Sequence, residues 1–445
     1  MRMTPPLPKT VLGGLVWLAC LGPAGPAQAA PARAPAPATP TFTPPTPPRP
    51  VTVDPRDRLS LPQLFDLIKT ESPRYRALQS EVDVARAETR AARVLPNPVL
   101  NLAILYLNSG FNQNGVATYY ANATFPLLVG GQRRFRVKSA NAFTRATEAE
   151  VVADYQNLAE EARNIFVELQ AAQARTEVYD EALAELGSLK SFVEERRTAG
   201  FESEYATLRV AMRVSAWNVR RIDSVTQREE AAARLGAMVG RPAWRPHAEG
   251  SFAPTGVEAH ADAMWAETQR TQPEITAARM REAHAVQNVA LARREAVPVP
   301  NLTAGTVVIQ NYFSASTTIG VTMPIPVFDW GQGLKARAEA QVISTRRERE
   351  AITAEVQAEL TRAVHLLKMR RDALADYERE ILGKSDRMRT LALEAFRAGQ
   401  AEVDDLVIAS ETHHDVRIIH IDLKAAVMQA EVDVLAAAGR IEEVR

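Results

Sequence analysis

A single cysteine, Cys20, in a chain of 445 residues excludes an internal disulfide framework. Lysine plus arginine and aspartate plus glutamate number 53 each, so no surplus positive charge recommends nucleic acid as a partner. No apolar run approaches the roughly 18 to 20 residues that a membrane-spanning helix needs. A phosphate-binding glycine loop, a nucleophile elbow and a His-Glu-x-x-His pair are also missing, and the seven histidines are dispersed apart from His413, His414 and His420. His413 and His420 lie two helical turns apart, yet no cysteine or spaced carboxylate completes a ligand set, so packing is their expected role. These gaps point away from an enzyme and name no cofactor and no metal centre.

Charge is absent in a more instructive way. About a quarter of the residues are charged, but Val94 to Gln132 and Ala296 to Phe328 contain no Asp, Glu, Lys or Arg. Both windows alternate with period two. Leu100, Leu102, Ile104 and Tyr106 share one face; Ala117, Tyr119, Ala121, Ala123 and Phe125 share another, opposite Thr118, Asn122 and Thr124. In the second window Ile319, Val321, Met323 and Ile325 oppose Ser316, Thr318, Gly320 and Thr322. The pattern predicts two hairpins of strands about 10 to 12 residues long, turning at "NSGFNQNG" and "NYFSAS". Solvent-facing strands of a soluble sandwich normally carry charge, so a membrane face explains the windows better.

The windows are copies of one another. "FPLLVGGQRR" at 125–134 answers "IPVFDWGQGL" at 325–334, Ser72-Pro73 answers Gln272-Pro273, and Ala199-Gly200 answers Ala398-Gly399. A period near 200 residues is too long for solenoid or propeller units, so each half is a complete block. Between Arg133 and Leu186, and again between Leu334 and Leu382, there is no Gly or Pro, and Ala, Glu, Arg, Gln and Leu dominate, which predicts long helices. Shorter helical stretches are expected at about Leu61 to Arg93, Val257 to Glu295, Glu202 to Val239 and Ala401 to Ala438, with reversals at "TAGFES" and "RAGQAE". The expected order in each half is helix, hairpin, long helix, tight turn, helix.

Arg2, Lys9 and the apolar run Val11 to Cys20, followed by Ala27-Gln28-Ala29, are expected to form an export signal over 1–29. Cys20 is either discarded with that signal or a lipid attachment site, Leu18-Ala19 preceding it. A Pro/Ala-rich linker is expected over 30–58, the first repeat over 59–240, a connector over 241–256, the second repeat over 257–440 and a tail over 441–445. Four strands cannot close a membrane barrel, for which about eight is the practical minimum, so the chain is expected to oligomerise. A cyclic trimer supplies twelve strands and a continuous helical wall beneath them.

With "LPNP" leading into the first hairpin and "PIPVFDWGQG" leaving the second, the sequence resembles the TolC-type outer membrane factor family, and within it the cobalt-zinc-cadmium efflux branch. The resemblance spans about Leu59 to Arg440. It implies a mainly α chain with a membrane β-barrel: four strands per chain in a trimeric, twelve-stranded barrel joined to a long periplasmic α-helical barrel, in the outer membrane of a Gram-negative bacterium. It implies as partners a periplasmic adaptor and an inner-membrane pump, with heavy-metal cations as cargo; drug efflux and type I protein secretion are the alternatives, and a periplasmic adaptor or structural coiled coil is the rival class. It places adaptor contacts at Ala199, Gly200, Phe201, Ala398, Gly399 and Gln400. The pore-lining candidates are the carboxylates beyond those turns, Glu202, Glu204, Glu402, Asp404 and Asp405, because acidic rings select cations. Asp405 matches the first aperture aspartate of the family, whereas Ile408 stands in place of the second and Ala401 in place of an arginine that locks some members shut.

Overall fold

The computed structural model describes residues 57–106, 117–257, 260–310 and 314–443. The expected signal, Cys20, most of the linker and the first hairpin turn lie outside these. Among the described residues the first half runs β1 (Arg58–Leu59), α1 (Leu61–Glu71), α2 (Pro73–Arg93), β2 (Val99–Tyr106), β3 (Ala117–Pro126), α3 (Gln132–Thr198) and α4 (Glu204–Val239). The second runs β4 (His247–Ala248), α5 (Ala261–Thr271), α6 (Pro273–Glu295), β5 (Asn301–Ile309), β6 (Ser314–Thr322), α7 (Gln332–Tyr377), a π turn (Glu378–Leu382), α8 (Gly383–Arg397) and α9 (Val403–Ala437). No described helix is long and apolar enough to cross a membrane.

Two expectations are corrected here. The helical stretch before each hairpin is broken, because Pro73 and Pro273 cannot donate to the preceding turn; Ser72 and Gln272 sit extended at ψ 124° and 121° while the next helix starts on the proline. Ser314 to Ser316 of the expected second turn already belong to β6, and Met323 and Ile325 of the expected strand face lie beyond its end at Thr322. In addition, the connector is not wholly irregular: His247 and Ala248 pair in parallel with Arg58 and Leu59, tying the start of the first half to the crossover.

The two hairpins merge. β3 pairs antiparallel with β5, giving one sheet in the order β2-β3-β5-β6. The register sets Leu100 against Ala123, Leu102 against Ala121 and Ile104 against Tyr119, so the two alternating sets share one face. Across the join Ala123 meets Ala304 and Phe125 meets Leu302, which pair on with Ile319 and Val321. The opposite face carries Asn101, Asn122, Gly305 and Thr318 in one row, and the Thr124 and Thr303 hydroxyls 3.2 Å apart in the next. One face is therefore apolar and the other predominantly polar.

The helical part is organised on α3, a 67-residue helix about 100 Å long at 1.5 Å per residue. At its middle Leu158, Ile165 and Leu169 pack with Leu64 and Ile68 of α1 and Leu235 of α4. Toward α9, Ala159, Val167 and Val178 meet Ile421, Val432 and Leu435. Each half then closes on itself through a pair not picked out from the sequence: Gly240 (φ 86°) ends the first half with its Cα side against Pro73, and Gly439 (φ 75°) ends the second against Pro273. Buried Glu431 of α9 fastens the connector. It accepts from the Thr255 hydroxyl at 2.8 Å and the Gly256 amide at 3.0 Å, while Arg371 of α7 donates to it at 2.6 Å.

The repeated Gly-Gln step is the strand-to-helix junction. Gly131 (φ 76°) and Gly331 (φ 82°) each take a left-handed turn immediately before a long helix. Their surroundings differ: a Cβ on Gly331 would lie 2.4 Å from the Ala296 Cβ, whereas none of the described atoms comes within 4 Å of one on Gly131. Both alanine variants are strained by about 1 kcal/mol through φ, but only Gly331→Ala adds a clash with the end of α6. Thermal unfolding should therefore rank Gly331→Ala clearly below Gly131→Ala; equal losses would show that the junction yields to the contact.

Candidate functional site

The distal turns are built alike. After α3, the Gly200 amide donates to the Arg197 carbonyl at 3.0 Å and the Phe201 amide to the Arg196 carbonyl at 2.8 Å. After α8, the Gly399 amide donates to Phe396 at 3.0 Å and the Gln400 amide to Ala395 at 2.9 Å. Both are helix ends closed by a left-handed glycine, φ 82° and 71°, which satisfies carbonyls that would otherwise be orphaned. No described atom lies within 4 Å of a Cβ placed on either glycine, so each turn presents open backbone. Phe201 is exposed, its ring 6.0 Å from the Arg196 guanidinium.

The fold brings the two tips together. Phe192 of α3 meets Phe396 of α8 edge-on with ring centroids 5.6 Å apart, and Leu189, Val193, Val210, Leu406 and Val407 form a common cluster beneath. The five candidate carboxylates divide. Glu202 pairs with Arg196 at 3.5 Å, and Asp404 of α9 pairs with Arg209 of α4. Asp405 is exposed and accepts the Glu402 amide at 3.1 Å, capping α9; Glu402 and Glu204 are exposed. Arg209 had no signal in the sequence, since it lies 195 positions from Asp404 and only the folded tips make them neighbours; Arg196 pairs across its own turn with Glu202, six positions on.

Above the tips is a buried polar cluster. Glu185 of α3 accepts from Arg389 of α8 at 3.1 and 3.2 Å, and His414 Nε2 of α9 lies 3.1 Å from its carboxylate. Burial alone would raise the Glu185 carboxyl, but the His414 hydrogen bond and the Arg389 charge hold it below its ordinary value. His413, also buried, sets Nδ1 3.3 Å from Asp386 of α8, while His420 lies 2.7 Å from Glu378 of the π turn. The histidines thus bind helices to one another, and among the described residues no group of three His, Cys, Asp or Glu could hold a metal ion.

With this geometry in place, comparison with known proteins is informative. Residues 64–241, essentially the first half, match the family described as outer membrane efflux protein. No curated protein matches by sequence. Among solved structures, a membrane protein from Pseudomonas aeruginosa superposes with TM-score 0.73 at 20% identity, covering 90% of this chain and 100% of that one. CusC, described with transmembrane channel formation, superposes with TM-score 0.70 at 18% identity over 90% of this chain and 99% of that one. The outer membrane protein VceC from Vibrio cholerae gives TM-score 0.68 at 18% identity over 85% and 96%. The fold is therefore the TolC-like one, both halves included.

Two outcomes follow from the tips and the cluster above them. Valine at Gly200 and Gly399 must take φ > 0 with a β-branched side chain, a strain of about 1–3 kcal/mol per site. The double variant should lose amide-exchange protection around 195–206 and 394–405 while its strand content by circular dichroism stays unchanged; intact protection would show that the glycines are dispensable there. The second concerns acid. Burial, then His414 and Arg389, push the His413 imidazole down to about 4 from its ordinary 6.5, with Asp386 opposing and Arg417 adding to the shift. A base with a depressed folded pKa contributes fully above pH 6.5 and loses that contribution as pH falls toward 4, on the order of 3 kcal/mol in all. The drop in melting temperature from pH 7 to pH 4.5 should accordingly be smaller in His413→Leu than in the parent.

Proposed function

We propose that this chain is the outer-membrane exit duct of a tripartite pump–adaptor–duct efflux system: a passive homotrimeric channel, not an enzyme, with a large helical portion in the periplasm of a Gram-negative bacterium and heavy-metal cations as its cargo. The observation that carries the reading is the sheet. Among the described residues its four strands end on two unpaired edges, β2 and β6, and its apolar face stays uncovered, with Leu102 69%, Ile104 65%, Ile319 75% and Val321 67% exposed. An open edge in hydrocarbon is untenable, and three copies of four strands close a barrel within the known size range. The match to the efflux family over the first half and the TolC-like fold over both support the same reading.

The tip turns are the proposed adaptor contact, because open glycine backbone lets a partner's main chain approach closely. Asp405 and Glu402 are the proposed pore carboxylates, since Glu202 and Asp404 are already paired with arginines. The cargo assignment rests on the resemblance of "PIPVFDWGQG" to the cobalt-zinc-cadmium branch and on these exposed acidic groups.

Purified protein in detergent should have the mass of three chains; a monodisperse monomer retaining full strand content contradicts the reading. In planar bilayers Asp405→Asn should lower cation preference without altering assembly, as three charges leave one ring. Loss of the gene should raise sensitivity to cobalt, zinc and cadmium salts, whereas a rise confined to drugs would reassign the cargo.

A further inference from the structure

Helix ends from both halves converge at the strand-to-helix junction. The Arg133 Nε at the start of α3 donates to the Arg93 carbonyl at the end of α2 at 2.7 Å, and Gln132 Nε2 donates to the Val297 carbonyl just beyond α6 at 3.1 Å. Arg136 of α3 pairs with Glu295 of α6 at 3.1 Å, and Gly331, just before α7, packs against Ala296. These links put the ends of α2 and α6 and the starts of α3 and α7 at one level. That level is immediately beside the strand ends, where the Leu127 amide donates to the Pro300 carbonyl at 2.8 Å.

The composition of this level is unlike the rest of the chain. Over positions 90–93, 133–138, 293–295 and 329–337 there are ten arginines and lysines against two carboxylates, Glu295 and Asp329, in a protein whose charges balance at 53 to 53 overall. Arg133, Arg134, Arg294 and Arg337 are exposed, as is Arg293, which pairs with Glu339 at 3.4 Å. Aromatic rings stand among the cations: Phe328 is 91% exposed, the Lys335 ammonium lies 4.8 Å from the Trp330 ring centroid, and Arg294 lies 5.1 Å from that of Phe135. Rings that bridge apolar and wet surroundings, set beside exposed cations that outnumber the carboxylates, suit the boundary of a bilayer. Pore carboxylates or an adaptor would not account for positive charge at the opposite end of a helix about 100 Å long.

We infer that this junction is a docking belt for the phosphate headgroups of anionic phospholipids in the leaflet that meets the helical part. The belt rests on the membrane reading above. Guanidinium forks bind phosphate oxygens bidentately, and attraction to an anionic leaflet is screened within a Debye length. The charge sits on helices tied to each other, so it is presented as a fixed collar rather than as mobile side chains on a loop.

The full-length protein is reconstituted in phosphatidylcholine vesicles with and without phosphatidylglycerol, insertion is checked by flotation, and the association of spin-labelled phosphatidylglycerol and phosphatidylcholine is compared by electron paramagnetic resonance. Phosphatidylglycerol should be favoured about threefold or more at low salt, approaching parity at 1 M salt, where the Debye length is about 3 Å. The variant Arg133→Gln/Arg134→Gln/Arg294→Gln/Arg337→Gln should insert and lose the preference. The same four positions changed to lysine should keep most of it, which controls for misfolding. Protein that inserts but shows no preference, or a glutamine variant that retains it, overturns the belt and leaves the duct standing. Protein that enters neither kind of vesicle overturns the membrane reading and the belt with it.

Discussion

A β-strand edge placed in hydrocarbon leaves its N–H and C=O groups without partners, at a cost of several kcal/mol per group. Much of this molecule can be traced to that constraint. One hairpin would have two edges for two strands; joining β3 to β5 halves the number of edges per strand, yet β2 and β6 still end the sheet. In the proposed trimer the remaining edges are satisfied by further copies. Because the sheet's apolar face finds no cover among the described residues, the helical part must be stable by its own packing, which α3 supplies by serving as the common partner of α1, α4 and α9.

The sequence made some of this legible and hid the rest for identifiable reasons. Alternation is a local signal, so the faces holding Leu100 to Tyr106 and Ala117 to Phe125 could be read directly, and their cross-strand register agrees with that reading. The proline pairs at 73 and 273 were visible as repeated landmarks, but a break between two helices and a bend within one look alike in composition. The far end of β6 was overestimated because the charge-free window includes junction residues, such as Met323 and Ile325, which lie beyond Thr322. The π turn at Glu378–Leu382 had no sequence cue, since it arises within a stretch of ordinary helix formers.

At the tips, the sequence offered the glycines and the carboxylates but not their partners. Glycine followed by a helix start is a local grammar. Ion pairs such as Arg209 with Asp404 and Arg389 with Glu185 join residues about 200 positions apart and exist only because the duplicated halves lie side by side. Charge counted along the chain therefore exaggerated how much free negative charge the distal end carries.

The duplication is close but unequal, and the inequality is mechanical. From Gly131 to Gly200 there are 69 steps along the chain, and from Gly331 to Gly399 there are 68. The second path also contains the π turn, which coils residues more widely and gains less height from each. The second long helical arm, from Gly331 to its tip at Gly399, is thus shorter by about 1.5 Å for the missing residue alone, with its downstream face rotated relative to the first. In the threefold assembly proposed above, six helical tips would form a crenellated rim of alternating high and low teeth, and a ring seated on that rim would engage it in three orientations rather than six.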